Sequence, residues 1–394
     1  MARRPIRRPR RRGVLGAAAL AAVTGLVLGA APAGASAPAG PNPTQPAVDQ
    51  QRADASYQAL EQVLYLPSDQ LYQASSPTPT DPFSFLWPFT NAMAATSYLV
   101  ATPGGSADAA DLTARLDGLL LYQDPAEHTP TGTSQPPAFE SAVAPPLGLG
   151  GDTYYDDNAW AALDLLAQYR LTGSATTLDL AEQTFRFVVS GWSTLRSAPC
   201  RGGVSWVDAS WSADRNTVSN APNAEAGAEL YQLTGDAFYL SWARRMYDWV
   251  NRCLAAPGGL YDDHISMNGT VTTTEWSYNQ GTMIGAGVLL YRATGKAGYL
   301  KRAEATAQAA VALYGTGSLL DDQGPAFNGI YFSNLFLLNE ISPNALYASD
   351  AEAYGTYMWD QQRDPSTGLF VPTSDVNATA PMVTIYSLLA GSPP

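Results

Sequence analysis

Tyr169-Arg170-Leu171-Thr172-Gly173 returns as Tyr231-Gln232-Leu233-Thr234-Gly235 and again as Tyr291-Arg292-Ala293-Thr294-Gly295. The glycines stand 62 and 60 residues apart. Glycine just past a helical run is a stop signal, because it enters the left-handed conformation without strain. A second helix-forming run begins shortly after each one: Leu178-Asp179-Leu180-Ala181, Tyr239-Leu240-Ser241-Trp242-Ala243 and Tyr299-Leu300-Lys301-Arg302-Ala303. The unit is helix, tight turn, helix, long loop. A period of this size predicts a repeat architecture.

Outward from these phrases, helical periodicity predicts twelve helices, near 50–65, 85–102, 106–122, 157–172, 176–190, 218–234, 238–254, 280–294, 298–314, 327–340, 346–361 and 380–390. Ala162, Leu165, Leu166 and Tyr169 show the apolar spacing. Twelve helices make six pairs. An open solenoid needs polar capping repeats at its ends, and the terminal helices do not read as caps. The expected fold is all-α, a closed (α/α)6 barrel. The loop before the first helix of each pair then lies at one end every time. Those loops carry Trp87 and Asn91, Tyr154 to Trp160, Asn216 to Asn220, Trp276 to Gln280, and Phe327 with Asn328. The Pro-rich stretch from Asp124 to Thr153 is expected to rim the same end.

The first 35 residues read as a leader. Seven arginines lie between Arg3 and Arg12, an apolar stretch runs from Gly13 to Ala31, and Ala33-Gly34-Ala35 is a small-residue cleavage signal. The run Arg11-Arg12-Gly13-Val14-Leu15 also fits a twin-arginine signal, so export by either route is expected and the mature protein is extracellular. Residues 36–48 read as a Pro/Ala tether, and 49–394 as a single catalytic domain. Seven of the 22 basic residues fall in the leader and all 35 acidic ones beyond it, so the mature chain carries a net charge of −20. Such a chain avoids nucleic acid and anionic membranes and suits a neutral or cationic substrate. A monomer without membrane attachment is expected after cleavage.

Cys200 and Cys253 are the two cysteines; in an exported chain they either bridge or stay as buried thiols. With only His128 and His264, a Ser-His-Asp triad or a histidine-rich metal site is hard to build, and no metal or cofactor is expected. Hydrolytic chemistry must then rest on carboxylates. Asp156 and Asp157 stand at a predicted helix mouth in Tyr154-Tyr155-Asp156-Asp157-Asn158-Ala159-Trp160. Aspartate there also reads as a helix cap. Successive helical residues point about 100° apart, so both carboxyls can face one cleft. A separation of ~5 Å suits glycoside cleavage with retention, one group as nucleophile and the other as acid. Aromatic residues cluster at the same end: Tyr154, Tyr155, Trp160, Trp206, Trp211, Trp276 and Tyr278. Ring faces suit the C–H faces of sugars, and amides and carboxylates suit paired hydroxyls. Trp160, Trp242 and Trp249 lie within helices and are expected in the core. Asp262 and Asp263 either contact sugar or are solvated, whereas Asp321 and Asp322 are expected in solvent.

Four stretches in order, in register with the repeat, resemble glycoside hydrolase family 76, the bacterial endo-α-1,6-mannanases. They are Tyr154 to Trp160, Gly202-Gly203-Val204-Ser205-Trp206, Asn216-Thr217-Val218-Ser219-Asn220 and Trp276-Ser277-Tyr278-Asn279-Gln280-Gly281. The resemblance runs roughly from Trp87 to Leu389. It implies an (α/α)6 barrel, retaining cleavage of α-1,6-linked mannose backbones, Asp156 as nucleophile and Asp157 as acid/base. The expected sugar contacts are Trp87, Asn91, Tyr155, Asn158, Trp206, Asn220, Asp262, Asp263, Trp276, Tyr278, Asn279 and Gln280. The expected partner is an α-mannan polysaccharide or a mannose-containing glycolipid. Fungal relatives look like transglycosylases acting on glycolipid anchors, so transfer is one alternative. A non-catalytic glycan-binding protein on the same barrel is another.

Overall fold

The computed structural model describes residues 44–78, 81–123, 138–315 and 318–391. The leader lies outside these residues, as does most of the tether. Thirteen helices are described: α1 Gln45–Val63, α2 Leu86–Ala101, α3 Ala109–Leu120, α4 Tyr155–Thr172, α5 Ala175–Ser190, α6 Thr217–Thr234, α7 Ala237–Cys253, α8 Ser277–Thr294, α9 Ala297–Tyr314, α10 Ser318–Gln323, α11 Pro325–Asn339, α12 Ala345–Gln361 and α13 Val376–Leu389. The start of α1 corrects the tether boundary, since residues 45–48 form its first turn. The short α10 was not expected; it carries Asp321 and Asp322, both exposed.

The recurring phrase is a helix-ending device. In each copy the glycine N–H donates to the tyrosine carbonyl: Gly173 to Tyr169, Gly235 to Tyr231 and Gly295 to Tyr291. The glycine φ values are 68°, 74° and 67°. A Cβ there would meet nothing within 4 Å, so backbone conformation rather than space demands glycine. The threonine before it donates to the carbonyl four residues back and accepts from the N–H two residues on. Together these contacts reverse the chain into the next helix within a few residues.

Six helices, α2, α4, α6, α8, α11 and α13, form an inner ring in which each packs on the next and α13 returns to α2. The outer helices are α3, α5, α7, α9, α12 and α1. Five pairs are consecutive in the chain; the sixth joins its two ends, α13 inside and α1 outside. That closing contact makes the ring a closed barrel and buries edges an open solenoid would need to cap. The inner helices are buried almost all round, as in α6 from Thr217 to Leu230. The outer ones bury a single face, as α7 does with Tyr239, Ala243, Met246, Tyr247, Trp249 and Val250. Several outer helices carry side-chain caps, from Asp108, Ser174, Asp236 and Asn344. By contrast α2, α4, α6, α8 and α11 have none. The N-terminal turns of these five helices contribute to the site, as does that of α13, which Asp375 caps.

Two small sheets, which helical periodicity could not show, decorate the loops. One joins β1 Tyr65–Leu66, β2 Leu71–Thr78 and β3 Asp81–Phe83; the other joins β4 Arg215–Asn216, β5 His264–Ile265 and β6 Val271–Thr272, each antiparallel to the next. Among the described residues no helix is long and apolar enough to cross a membrane.

Candidate active site

A cleft of about 630 Å³ opens at the N-terminal end of the inner ring. Its lining follows a register. In four of the inner helices the residue just before the helix and the second helical residue line the cleft: Phe85 and Trp87 on α2, Tyr154 and Asp156 on α4, Asn216 and Val218 on α6, Trp276 and Tyr278 on α8. Asn377 holds the second position of α13, and Phe327 the third of α11. Asp157 is beside Asp156, and the loops add Ser141, Trp206, Asp214, Asp263 and His264.

The fourth helical residue does the opposite, and this corrects part of the expected site. Asn158, Asn220 and Gln280 are fully buried. Each grips both the N–H and the carbonyl of one residue in the preceding loop: Phe139, Val204 and Tyr261 respectively. Each also donates to the carbonyl four residues back. Their hydrogen-bonding capacity is spent on holding loops, so they are not sugar contacts. Asn328 and Thr379, at the same position of α11 and α13, tie back to Leu320 and Phe370.

Four further expected contacts also fall outside the cleft lining. Tyr155 is buried and stacks on Phe187 at 5.0 Å. Asn279 is fully buried, and Asp262 accepts at its carbonyl from Thr217 Oγ1. Asn91 bonds Asn377 and faces the lumen below. Trp87, Trp206, Asp263, Trp276 and Tyr278 do line the cleft. So does Trp160: it is buried, as expected, yet its ring borders both the cleft and the lumen. Among the described residues no cluster of three or more His, Cys, Asp or Glu is arranged to hold a metal.

The two aspartates differ in their surroundings. Asp156 Oδ2 accepts from Trp206 Nε1 at 3.2 Å, while Oδ1 is buried without a partner. Burial raises its pKa to about 7, against the pull of first-turn backbone N–H groups and Trp206. Asp157 is raised well above the usual carboxylate range by burial and by Asp156, with no hydrogen bond to oppose them. Burial and the neighbouring Asp156 thus favour the protonated form of Asp157.

Trp206 is held as firmly as the carboxylate it serves. Its carbonyl accepts from Tyr155 N–H and its N–H donates to Asp214, both at 2.9 Å. Behind it the loop is tied at Cys200, whose carbonyl accepts from Arg215 at 2.9 Å and Trp249 at 3.1 Å. Cys200 is bridged to Cys253, which settles the two readings of these cysteines. Gly203 passes so close to Trp249 that a Cβ would lie 2.4 Å from its ring. The bridge spans a sequence separation of 53. Replacing both cysteines with serine is expected to cost about 2–4 kcal/mol in a urea melt. Turnover should fall even where the fold persists, because the loop carrying Trp206 loses its anchor. An equal melting midpoint would refute this.

Beneath the cleft lies a lumen of about 320 Å³, in which Arg170 pairs with Glu229 and Arg292 with Glu340. Among the described residues Asp164 and Glu225 have no cationic partner, and burial holds both well above the carboxylate range. Their folded-state pKa values exceed the unfolded ones, so the folded chain keeps protons that the unfolded chain has lost. Stability from these groups is present at low pH and lost as pH rises toward and through their folded pKa. Asp164→Asn is expected to shrink the drop in melting temperature between pH 5 and pH 8. An unchanged drop would show that Asp164 does not carry this linkage.

Comparison with known proteins is consistent with this geometry. Residues 144–356 match the glycosyl hydrolase family 76 profile. The chain belongs to that family. The mannan endo-1,6-alpha-mannosidase DCW1 of Candida glabrata is 31% identical over 159 residues, covering 38% of this chain and 35% of that one. The DCW1 protein of Saccharomyces cerevisiae is 31% identical over 127 residues, 30% of this chain and 28% of that one. The chain thus spans about a third of the length of the relatives it matches. Among solved structures, a family 76 alpha-mannanase of Bacteroides thetaiotaomicron superposes with TM-score 0.75 at 19% identity, covering 88% of this chain and 98% of that one. An inactive alpha-1,6-mannanase variant of Salegentibacter sp., bound to alpha-1,6-mannotriose, gives TM-score 0.71 at 20% identity, covering 87% and 99%. These likenesses establish the (α/α)6 barrel.

Proposed function

We propose that this family 76 chain is a secreted glycoside hydrolase that cleaves α-1,6-mannosidic linkages in mannan backbones with retention of configuration. The observation that carries the reading is the asymmetric pair at the mouth of α4. Asp156 has one oxygen held by Trp206 and one buried without a partner, and burial beside Asp156 favours the protonated form of Asp157. That division suits a nucleophile beside a general acid/base. In the first step a carboxylate oxygen of Asp156 bonds to the anomeric carbon as the C–O bond to the leaving sugar breaks, and Asp157 gives its proton to the departing oxygen. In the second step Asp157 takes a proton from water, the water oxygen bonds to the anomeric carbon, and Asp156 leaves as carboxylate. The relatives' action on α-1,6-mannan supplies the linkage, and the aromatic walls of Trp87, Trp276 and Tyr278 suit sugar rings.

Product analysis tests this on linear α-1,6-mannan beside α-1,4-linked and β-linked controls. The expected result is oligosaccharides from the first polymer alone, formed initially as the α-anomer by proton NMR. An inverted first product would overturn retention. Added mannoside acceptors appearing in longer products would favour transfer over hydrolysis.

A further inference from the structure

Eight of the nine tryptophans are buried or half-buried; Trp211 is 55% exposed. Its conformation is nevertheless fixed. Trp211 Nε1 donates to Asp152 Oδ2 at 2.8 Å. Its ring meets Trp206 near-perpendicular at 5.7 Å and Tyr154 at 6.3 Å. Trp206 and Tyr154 both line the cleft, whereas Trp211 stands just outside it. An unattached tryptophan on a surface would move among rotamers and bury what it could. This one is held open, with its indole N–H already satisfied and an exposed carboxylate alongside.

We propose that Trp211 is the platform of a distal sugar subsite, taking a further hexopyranose unit of the same glycan chain that crosses Asp156 and Asp157. The inference rests on reading the cleft as a glycan site and adds the direction in which the chain leaves it, over Trp206 toward Asp152. The physical grounds are continuity and chemistry. The three rings Tyr154, Trp206 and Trp211 adjoin one another from the nucleophile outward, so a chain held at Asp156 reaches Trp211 without crossing open surface. An aromatic face covers the C–H face of a pyranose, and Asp152 accepts from hydroxyls at its edge. Such preorganised rings bind at little entropic cost. A subsite beyond the cleft favours long chains and internal cleavage.

The test compares Trp211→Ala and Trp211→Tyr with the native enzyme on linear α-1,6-manno-oligosaccharides of increasing length and on the polymer. The ratio of native to Trp211→Ala kcat/KM should rise with chain length, reaching about tenfold on the polymer and appearing in KM. Trp211→Tyr, which keeps a ring, should recover most of it. A ratio independent of length would overturn the inference, since it would mean that Trp211 only supports Trp206. No loss on the polymer would overturn it equally. Failure of the native enzyme to cleave any of these chains would instead overturn the reading of the cleft, and this inference with it.

Discussion

Asp156→Asn and Asp157→Asn will each abolish most turnover while leaving the melting temperature at or above that of the native protein at pH 8. The two effects separate the catalytic reading of these residues from the capping one. Neither side chain is the N-cap; that position belongs to Tyr154, which has no capping hydrogen bond from its side chain. A carboxylate in the first turn would be worth about 1 kcal/mol or less to the fold. Against this stands the burial of two like charges, which raises both pKa values. Asparagine removes the charge and keeps the shape, so stability is expected to hold or rise. Loss of a general acid/base costs about 10²–10⁴-fold in rate, and loss of the nucleophile costs at least as much. Calorimetry on the two variants, beside turnover of α-1,6-mannan, decides the matter. Lower stability with near-normal turnover would return the pair to a structural role.

The same contrast explains which parts of the site could be read from the chain. Asn158, Asn220 and Gln280 each stand 15 residues before a repeat glycine. A residue type that recurs at one register in every unit serves what the units share, which is their architecture. Asp156 and Asp157 have no counterparts: the matching positions hold Val218 with Ser219 and Tyr278 with Asn279. Chemistry occurs once in a ring, so it falls on residues the repeat does not copy. The repeat register thus carries a signal that sets these amides apart from sugar contacts. Their burial is not legible in the same way, because an amide one turn into a helix looks alike on either face.

The barrel was legible because its signals are local. Glycine stops, threonine turns and apolar spacing sit within a few residues of one another. Closure was not local, since α1 and α13 meet only in space. The contributions of Asp214 and His264 were also hidden. Both reach the cleft beside the short strand pairing of Arg215–Asn216 with His264–Ile265. Strands of two residues leave no alternation to read. His264, bonded to Asp263 at 2.9 Å and Thr272 at 3.1 Å, is oriented by them rather than placed by any motif.

The roles within the pair can be separated by rescue. In Asp157→Ala the covalent sugar on Asp156 can still form from substrates with good leaving groups, but no base activates water to release it. Azide needs no base and fits the space the side chain leaves. It should restore turnover and give the α-mannosyl azide, because the displaced bond is the inverted one at Asp156. Substrates with poor leaving groups should stay slow, since nothing protonates their oxygen. The native pH profile should agree with this assignment. Asp156 must be ionised to attack, and its pKa is raised to about 7. Activity should therefore fall on the acid side well above the ordinary carboxylate range, as Asp156 takes up a proton. Trp206→Phe removes the N–H that favours the ionised form, so its acid limb should move to still higher pH. Azide rescue of Asp156→Ala but not of Asp157→Ala would exchange the two roles. An acid limb unmoved in Trp206→Phe would mean that the indole does not hold Asp156 in its attacking state.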